Sequence, residues 1–217
     1  MEFEEQRRRM VREQLEARGV RDPRVLAAMR EVPREQFVPA VERGSAYSDS
    51  PLPIGEGQTI SQPLVVAWMA AALELGPADR VLEIGTGSGY AAAVLSRLAA
   101  EVYTVERFAA LAVSAREHLR DCGAANVQVL CADGSLGLPE HAPFDGIIVA
   151  AAAPSIPAPL LLQLASGGRL VIPIGEAPRR QSLIKATRRA DGQIQTVDLG
   201  PVRFVPLIGA AGFPGPA

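Results

Sequence analysis

The middle of the chain is punctuated by short, nearly unbroken apolar runs. They are RVLEI (Arg80 to Ile84), VYTV (Val102 to Val105), VQVL (Val127 to Leu130), FDGIIV (Phe144 to Val149) and GRLVIPI (Gly168 to Ile174). Between them lie stretches with helical spacing, Tyr90 to Ala99, Ala109 to Leu119 and Ile156 to Leu164. Strands alternating with helices predict a doubly wound, mostly parallel α/β sheet. Runs this apolar fit strands covered on both faces.

The flanks read differently. From Phe3 to Leu15, Phe3, Met10, Val11 and Leu15 recur at helical spacing, and Gly19 ends that helix. Asp22 before Pro23 is a helix start, and Pro33 ends this second helix. Residues 39–62 form a long stretch rich in Pro, Gly and Ser, of the kind that is usually functional. Ser61 and Pro63 open a helix predicted to run to Leu75 and stop at Gly76. After Ile174 the rhythm becomes strand-like without helices, over Ser182 to Thr187, Ile194 to Leu199 and Val202 to Leu207. These are expected to complete the sheet, partly antiparallel. No internal repeat is visible. The expected organisation is one domain: N-terminal helices and a loop over 1–75, a βα core over 76–175, C-terminal strands over 176–208, and a disordered tail over 209–217.

Composition narrows the classes of function. At 217 residues and 48% hydrophobic, the chain can build one substantial core. A net charge of −2 gives no basic face for nucleic acid, and Arg7, Arg8, Arg9 and Arg12, interleaved with glutamates, read as a solvated helix face. The first ten residues lack the apolar core of a signal peptide, and the longest apolar stretch, Ile147 to Ala153, is too short for a bilayer. The expectation is a cytoplasmic chain with no membrane partner. Cys122 and Cys131 match no disulfide framework or metal spacing; they read as reduced thiols, Cys131 in the core. The two histidines, His118 and His141, sit in no metal-binding pattern.

The candidate chemistry begins where the first core strand ends. Glu83 precedes Gly85-Thr86-Gly87-Ser88-Gly89, and a helix follows. Glycines there allow a tight turn and close backbone approach to a ligand. A dinucleotide fingerprint wants a third glycine where Tyr90 stands, and a P-loop wants a lysine that is absent. The form E-x-G-x-G-x-G is instead typical of Class I methyltransferases, whose cofactor, S-adenosyl-L-methionine, carries a sulfonium and an amino acid end. Glu106 ends the next strand about 20 residues after the first glycine, where a carboxylate suits ribose hydroxyls or is merely an exposed strand end. Asp133 and Gly134 follow the third strand. Asp133 either accepts from the exocyclic amine of adenine or forms an Asp-Gly turn.

The segment Tyr47 to Pro63, with its core G-E-G-Q-T-I-S-Q-P at Gly55 to Pro63, resembles the signature of protein-L-isoaspartate O-methyltransferases. So do VLEIGTGSGY (Val81 to Tyr90), APFDGIIV (Ala142 to Val149), GGRLVIPIG (Gly167 to Gly175) and VRFVPLIG (Val202 to Gly209). The likeness spans nearly the whole chain. One departure is Ala150, where many members carry Thr. The resemblance implies a Rossmann-like Class I fold that moves a methyl from S-adenosylmethionine to the free α-carboxylate of L-isoaspartyl residues in damaged proteins and peptides. It also implies that D-aspartyl residues are poorer substrates. The ester then closes to a succinimide, which hydrolyses in part to normal aspartate.

The resemblance makes Ser61 the active-site serine, with Gln58, Thr59 and Ile60 in the substrate loop. It assigns Glu83, Gly85, Thr86, Gly87, Gly89, Glu106, Asp133 and Gly134 to the cofactor. Spacing alone favours Ser61 as a helix cap, and the two roles are compatible. A carboxylate substrate is already ionised at neutral pH, so no general base is required. The expected working unit is a monomer. Two alternatives are a Class I methyltransferase acting on a small molecule or another protein group, and a non-catalytic binding module on the same fold.

Overall fold

The computed structural model describes residues 2–175 and 180–215. The N-terminal helix α1 (Glu2–Met10) continues through a π-helical turn (Val11–Leu15) and a 3-10 turn (Glu16–Arg18). Gly19, in the left-handed region at φ 96°, ends it. In α2 (Pro23–Glu31), Asp22 caps as expected, its carboxylate accepting the N–H groups of Arg24 and Val25. The loop-rich stretch holds two short strands that the sequence pattern did not reveal, β1 (Leu52–Gly55) and β2 (Gln58–Ile60), paired antiparallel as a separate hairpin. Helix α3 (Pro63–Leu73) stops two residues earlier than predicted, because Glu74 adopts a left-handed C-cap at φ 50°.

Seven strands make the main sheet: β3 (Arg80–Ile84), β4 (Glu101–Glu106), β5 (Val127–Cys131), β6 (Phe144–Val149), β7 (Leu164–Ile174), β8 (Gln181–Arg188) and β9 (Ile194–Val202). Their order is β5-β4-β3-β6-β7-β8-β9. The first five are parallel, and β8 and β9 extend the sheet antiparallel. Helices α4 (Tyr90–Leu95), α5 (Ala109–Asp121) and α6 (Ala158–Leu162) make the crossovers. The predicted separate strand over 202–207 is not in this sheet. β9 runs through Val202, and Pro206 makes only a lone bridge with Ala152.

Successive strand residues point to opposite faces, which divides the core in two. Val81, Val102, Ile148 and Val171 pack under α2, α3 and α4, while Leu82, Tyr103, Ile147 and Ile172 pack with Leu160 of α6 and Leu207. Two expectations fail here. Cys131, at the end of an edge strand, is exposed rather than in the core. The tail is not disordered over its described part: the N–H of Gly209 donates to the Phe213 carbonyl at 3.1 Å, and that of Phe213 to the Leu207 carbonyl at 2.7 Å. Residues 216 and 217 lie outside the described part. No helix among the described residues is long and apolar enough to cross a membrane.

Candidate active site

The chain runs β3, β4, β5 toward one edge, then returns to place β6 on the other side of β3. At such a switch point the strand ends leave a crevice. An open cleft of about 820 Å³, solvent included, lies there. Its lining draws on Gln58, Thr59, Ile60 and Ser61 from β2 and the loop before α3. The end of β3 and the loop after it supply Glu83 to Ser88, and the end of β4 and the residues after it supply Val105 to Phe108. Gly134, Ala150, Ala151 and Val205 to Ile208 add to it, with Val66, Tyr90 and Ala91 from the helices.

The glycine loop is shaped by backbone conformation. Gly85, Gly87 and Gly89 have φ of 92°, 54° and 91°, which side chains strongly disfavour. A Cβ on Gly87 would stand 3.1 Å from Ile54 of β1, so the hairpin packs directly on this loop. Gly89 does not line the cleft; it lets α5 approach, since a Cβ there would meet Ala115 and Leu119. Behind the loop, His118 Nδ1 lies 2.9 Å from the Ser88 carbonyl oxygen.

Two acidic side chains line the cleft. Glu106 accepts the Gly87 N–H at 2.9 Å on one oxygen and the Phe108 N–H at 3.0 Å on the other. A carboxylate's two oxygens offer about four acceptor positions, and these two bonds leave room for more. Glu83 is 1% exposed. One of its oxygens accepts the Thr104 hydroxyl at 2.5 Å, and that hydroxyl also meets Thr86 Oγ1 at 2.6 Å. Its other oxygen is buried without a partner. Burial pushes the Glu83 carboxyl up to about 8; the Thr104 hydrogen bond works against this and the nearby Glu106 charge adds to it. An orphaned acceptor in the cleft wall matches a cofactor bearing an ammonium donor. Gly134 fits a close cradle as well, since a Cβ there would come within 2.5 Å of Ile84.

Ser61 faces the cleft one residue before the α3 N-cap, which is Gln62 and has no side-chain cap bond. The Ser61 hydroxyl makes no hydrogen bond to another described residue, so the cap reading finds no support. The N-terminal helices hold the substrate loop behind it. Gln14 donates to the Tyr47 carbonyl at 2.8 Å, buried Arg34 donates to the Ala46 carbonyl at 2.7 Å, and the Tyr47 hydroxyl donates to Glu35. Asp133 is the one assigned acidic residue that does not line the cleft. Sequence reasoning missed Arg107, Phe108, Ala151 and the C-terminal wall Val205 to Ile208. The wall lay inside the family-like VRFVPLIG segment, which was read as a strand.

The model of the family described as Protein-L-isoaspartate(D-aspartate) O-methyltransferase matches residues 5–212. The chain belongs to this family. Among its relatives, the protein-L-isoaspartate O-methyltransferase 2 of Pelobacter propionicus is 58% identical over 94% of this chain and 91% of that protein. The protein-L-isoaspartate O-methyltransferase 1 of Geotalea uraniireducens is 59% identical over 94% and 93%. A solved protein-L-isoaspartate O-methyltransferase superposes with a TM-score of 0.85 at 32% identity, covering 95% of this chain and 67% of that one. A Plasmodium falciparum chain assigned to the same family, solved with S-adenosyl-L-homocysteine, gives 0.79 at 28% identity, covering 93% and 98%.

Proposed function

We propose that this chain methylates the free α-carboxylate of L-isoaspartyl residues in damaged proteins and peptides, with Ser61 orienting that carboxylate. The reaction class and the cofactor, S-adenosyl-L-methionine, follow from family membership. The observation that carries the residue roles is the unengaged Ser61 hydroxyl at a cleft whose wall also holds the unpartnered oxygen of Glu83. When bound, the cofactor supplies an electrophilic methyl on a sulfonium, which a carboxylate oxygen attacks as the C–S bonding pair returns to sulfur. The main-chain nitrogen of the following residue then attacks the ester carbonyl spontaneously, losing its proton and expelling methanol, and hydrolysis of the resulting succinimide returns some normal aspartate.

The protein's own work is placement. The Ser61 hydroxyl donates to the substrate carboxylate, and the positive end of the eleven-residue α3 draws that anion in. Gln58, Thr59 and Ile60 offer backbone and side chains to the peptide at the cleft mouth. Glu106 holds ribose hydroxyls with its two remaining acceptor positions. Glu83 receives an ammonium on its free oxygen. The substrate carboxylate arrives ionised at neutral pH and needs no general base. Orientation can lower the barrier by several kcal/mol, roughly 7 in favourable intramolecular models. We assign a cytoplasmic setting and action as a monomer on the grounds of composition alone.

The experiment is methyl transfer to an isoaspartyl peptide beside its normal aspartyl twin. In the isoaspartyl form the α-carboxylate is a short branch; in the twin the carboxylate sits on an extra methylene from a differently spaced backbone. Strong preference for the isoaspartyl peptide is expected, and equal rates would redirect the assignment to another acceptor.

A further inference from the structure

Thr104 does not line the cleft and is wholly buried within the sheet. It is the register partner of Glu83 on the neighbouring parallel strand, so the two side chains lie side by side on one face. Its hydroxyl donates to one Glu83 oxygen at 2.5 Å and lies 2.6 Å from Thr86 Oγ1. A hydroxyl has one proton and two acceptor positions. When Glu83 is ionised it can only accept, so Thr104 gives its proton to the carboxylate and Thr86 donates to Thr104. When Glu83 is protonated, the carboxyl can donate to Thr104, which then donates to Thr86. The two threonines can satisfy this oxygen in either state, while the other oxygen has no partner. Valine, of the same shape, could do neither.

The rest of the surroundings offer Glu83 little. Glu106, at the end of β4, is the charge that acts on it, and Arg107 is the remaining charged residue of the cleft lining. On its other side β6 presents Ile148, and α3 and α4 bring Val66 and Tyr90 to the cleft. Burial pushes the Tyr90 phenol up to about 12, so it stays neutral. We infer that Thr104 is a positioning residue for the amino acid end of the cofactor: its hydroxyl holds one oxygen of Glu83 in place, so that the other can meet an ammonium as a carboxylate. This rests on the proposed function, which gives Glu83 that partner. Burial drives Glu83 toward its neutral form, and the Thr104 hydrogen bond is the contribution that opposes it. Hydrogen bonds to an ionised acceptor are roughly twice as strong as neutral ones, so this bond strengthens as the carboxyl loses its proton. That proton goes to solvent, because an ammonium already carries its own.

The test is calorimetry on wild type, Thr104→Val and Thr104→Ser with two ligands. S-adenosylhomocysteine carries the ammonium; methylthioadenosine shares the nucleoside and the sulfur but lacks the amino acid end. At neutral pH, Thr104→Val should bind S-adenosylhomocysteine about tenfold more weakly, the scale of one hydrogen bond to a charged group. It should bind methylthioadenosine as wild type does. Thr104→Ser keeps the hydroxyl and should recover most of the loss. In wild type, affinity for S-adenosylhomocysteine should rise as pH approaches about 8 and Glu83 sheds its proton, while methylthioadenosine stays flat. In Thr104→Val that rise should move to higher pH. Thr104→Ala also removes the hydroxyl and must give the same pattern, which keeps the test open if the valine variant does not fold. A merely structural threonine predicts equal losses for the two ligands. That result, or wild-type affinity for S-adenosylhomocysteine in Thr104→Val, would overturn the inference. Equal affinity of wild type for both ligands would overturn the ammonium role of Glu83 itself, and the inference with it.

Discussion

Two residues at the cleft carry predictions because the structure leaves each with an unmet capacity. Ser61 neither caps α3 nor bonds elsewhere among the described residues. Ser61→Ala should therefore cost under about 0.5 kcal/mol of stability, the range for changes away from packing or caps. Its kcat/KM on an isoaspartyl peptide should fall at least about tenfold, roughly 1.4 kcal/mol of transition-state stabilisation. Wild-type kcat/KM would leave the serine without a role. Glu83 makes a prediction about pH. Its carboxyl titrates near 8 in the fold, against about 4.3 in an unfolded chain. Between these values the native state holds a proton that the unfolded state has released. The stability this residue contributes is thus complete at low pH and drains away as pH rises through about 8. Glu83→Gln stays neutral throughout. In ligand-free protein, the melting temperature of wild type should decline relative to Glu83→Gln from about pH 5 to 8 and then level off. Parallel curves would mean that Glu83 is already ionised when folded.

Among elements, the hairpin β1–β2 joins the substrate loop to the glycine loop through Ile54 against Gly87. Ile54 is half-buried, so Ile54→Ala should cost less than the ~2–5 kcal/mol of a core truncation. It should nonetheless raise KM for the peptide about fivefold, since small misplacements at a reacting centre are costly. An unchanged KM would show that the hairpin keeps its place without this contact. This hairpin was illegible beforehand because strands of four and three residues, broken by Pro53, Gly55 and Gly57, show no period-2 run. The sheet core was legible for the opposite reason: FDGIIV and VLEI are buried on both faces, so burial writes itself into the sequence. The place of Glu83 and Glu106 at the cleft was readable from their spacing to the glycines. Asp133, which does not line the cleft, shows the limit of spacing: an acidic residue before glycine looks the same whether it faces a ligand or also hydrogen-bonds a distant stretch of its own chain. Cys131 misled for a related reason, as β5 turned out to be an edge.

Across the whole molecule, the cleft collects residues from 58 to 208, so its occupation should tie the fold together. A ligand that binds only the native state stabilises it by about 2.7 kcal/mol at a hundred times its Kd. For a domain of this size each kcal/mol is worth about 2–4 °C, so S-adenosylhomocysteine at that excess should raise the melting temperature by about 5–11 °C. A scan that does not move would mean that the ligand fails to bind or that the cleft opens well before the sheet melts.

The long return of the backbone from β9 to Ala152 has a consequence for synthesis. One side of the cleft is made early in translation and the other only near residue 208. At about 5–20 residues per second, several seconds separate the appearance of Ser61 from that of its opposite wall. A partly made chain can pair β3, β4 and β6 and bury their apolar faces, yet it cannot enclose a small molecule. Newly emerging protein should therefore gain a complete cleft only after β9, when the Val205 to Ile208 wall has been made.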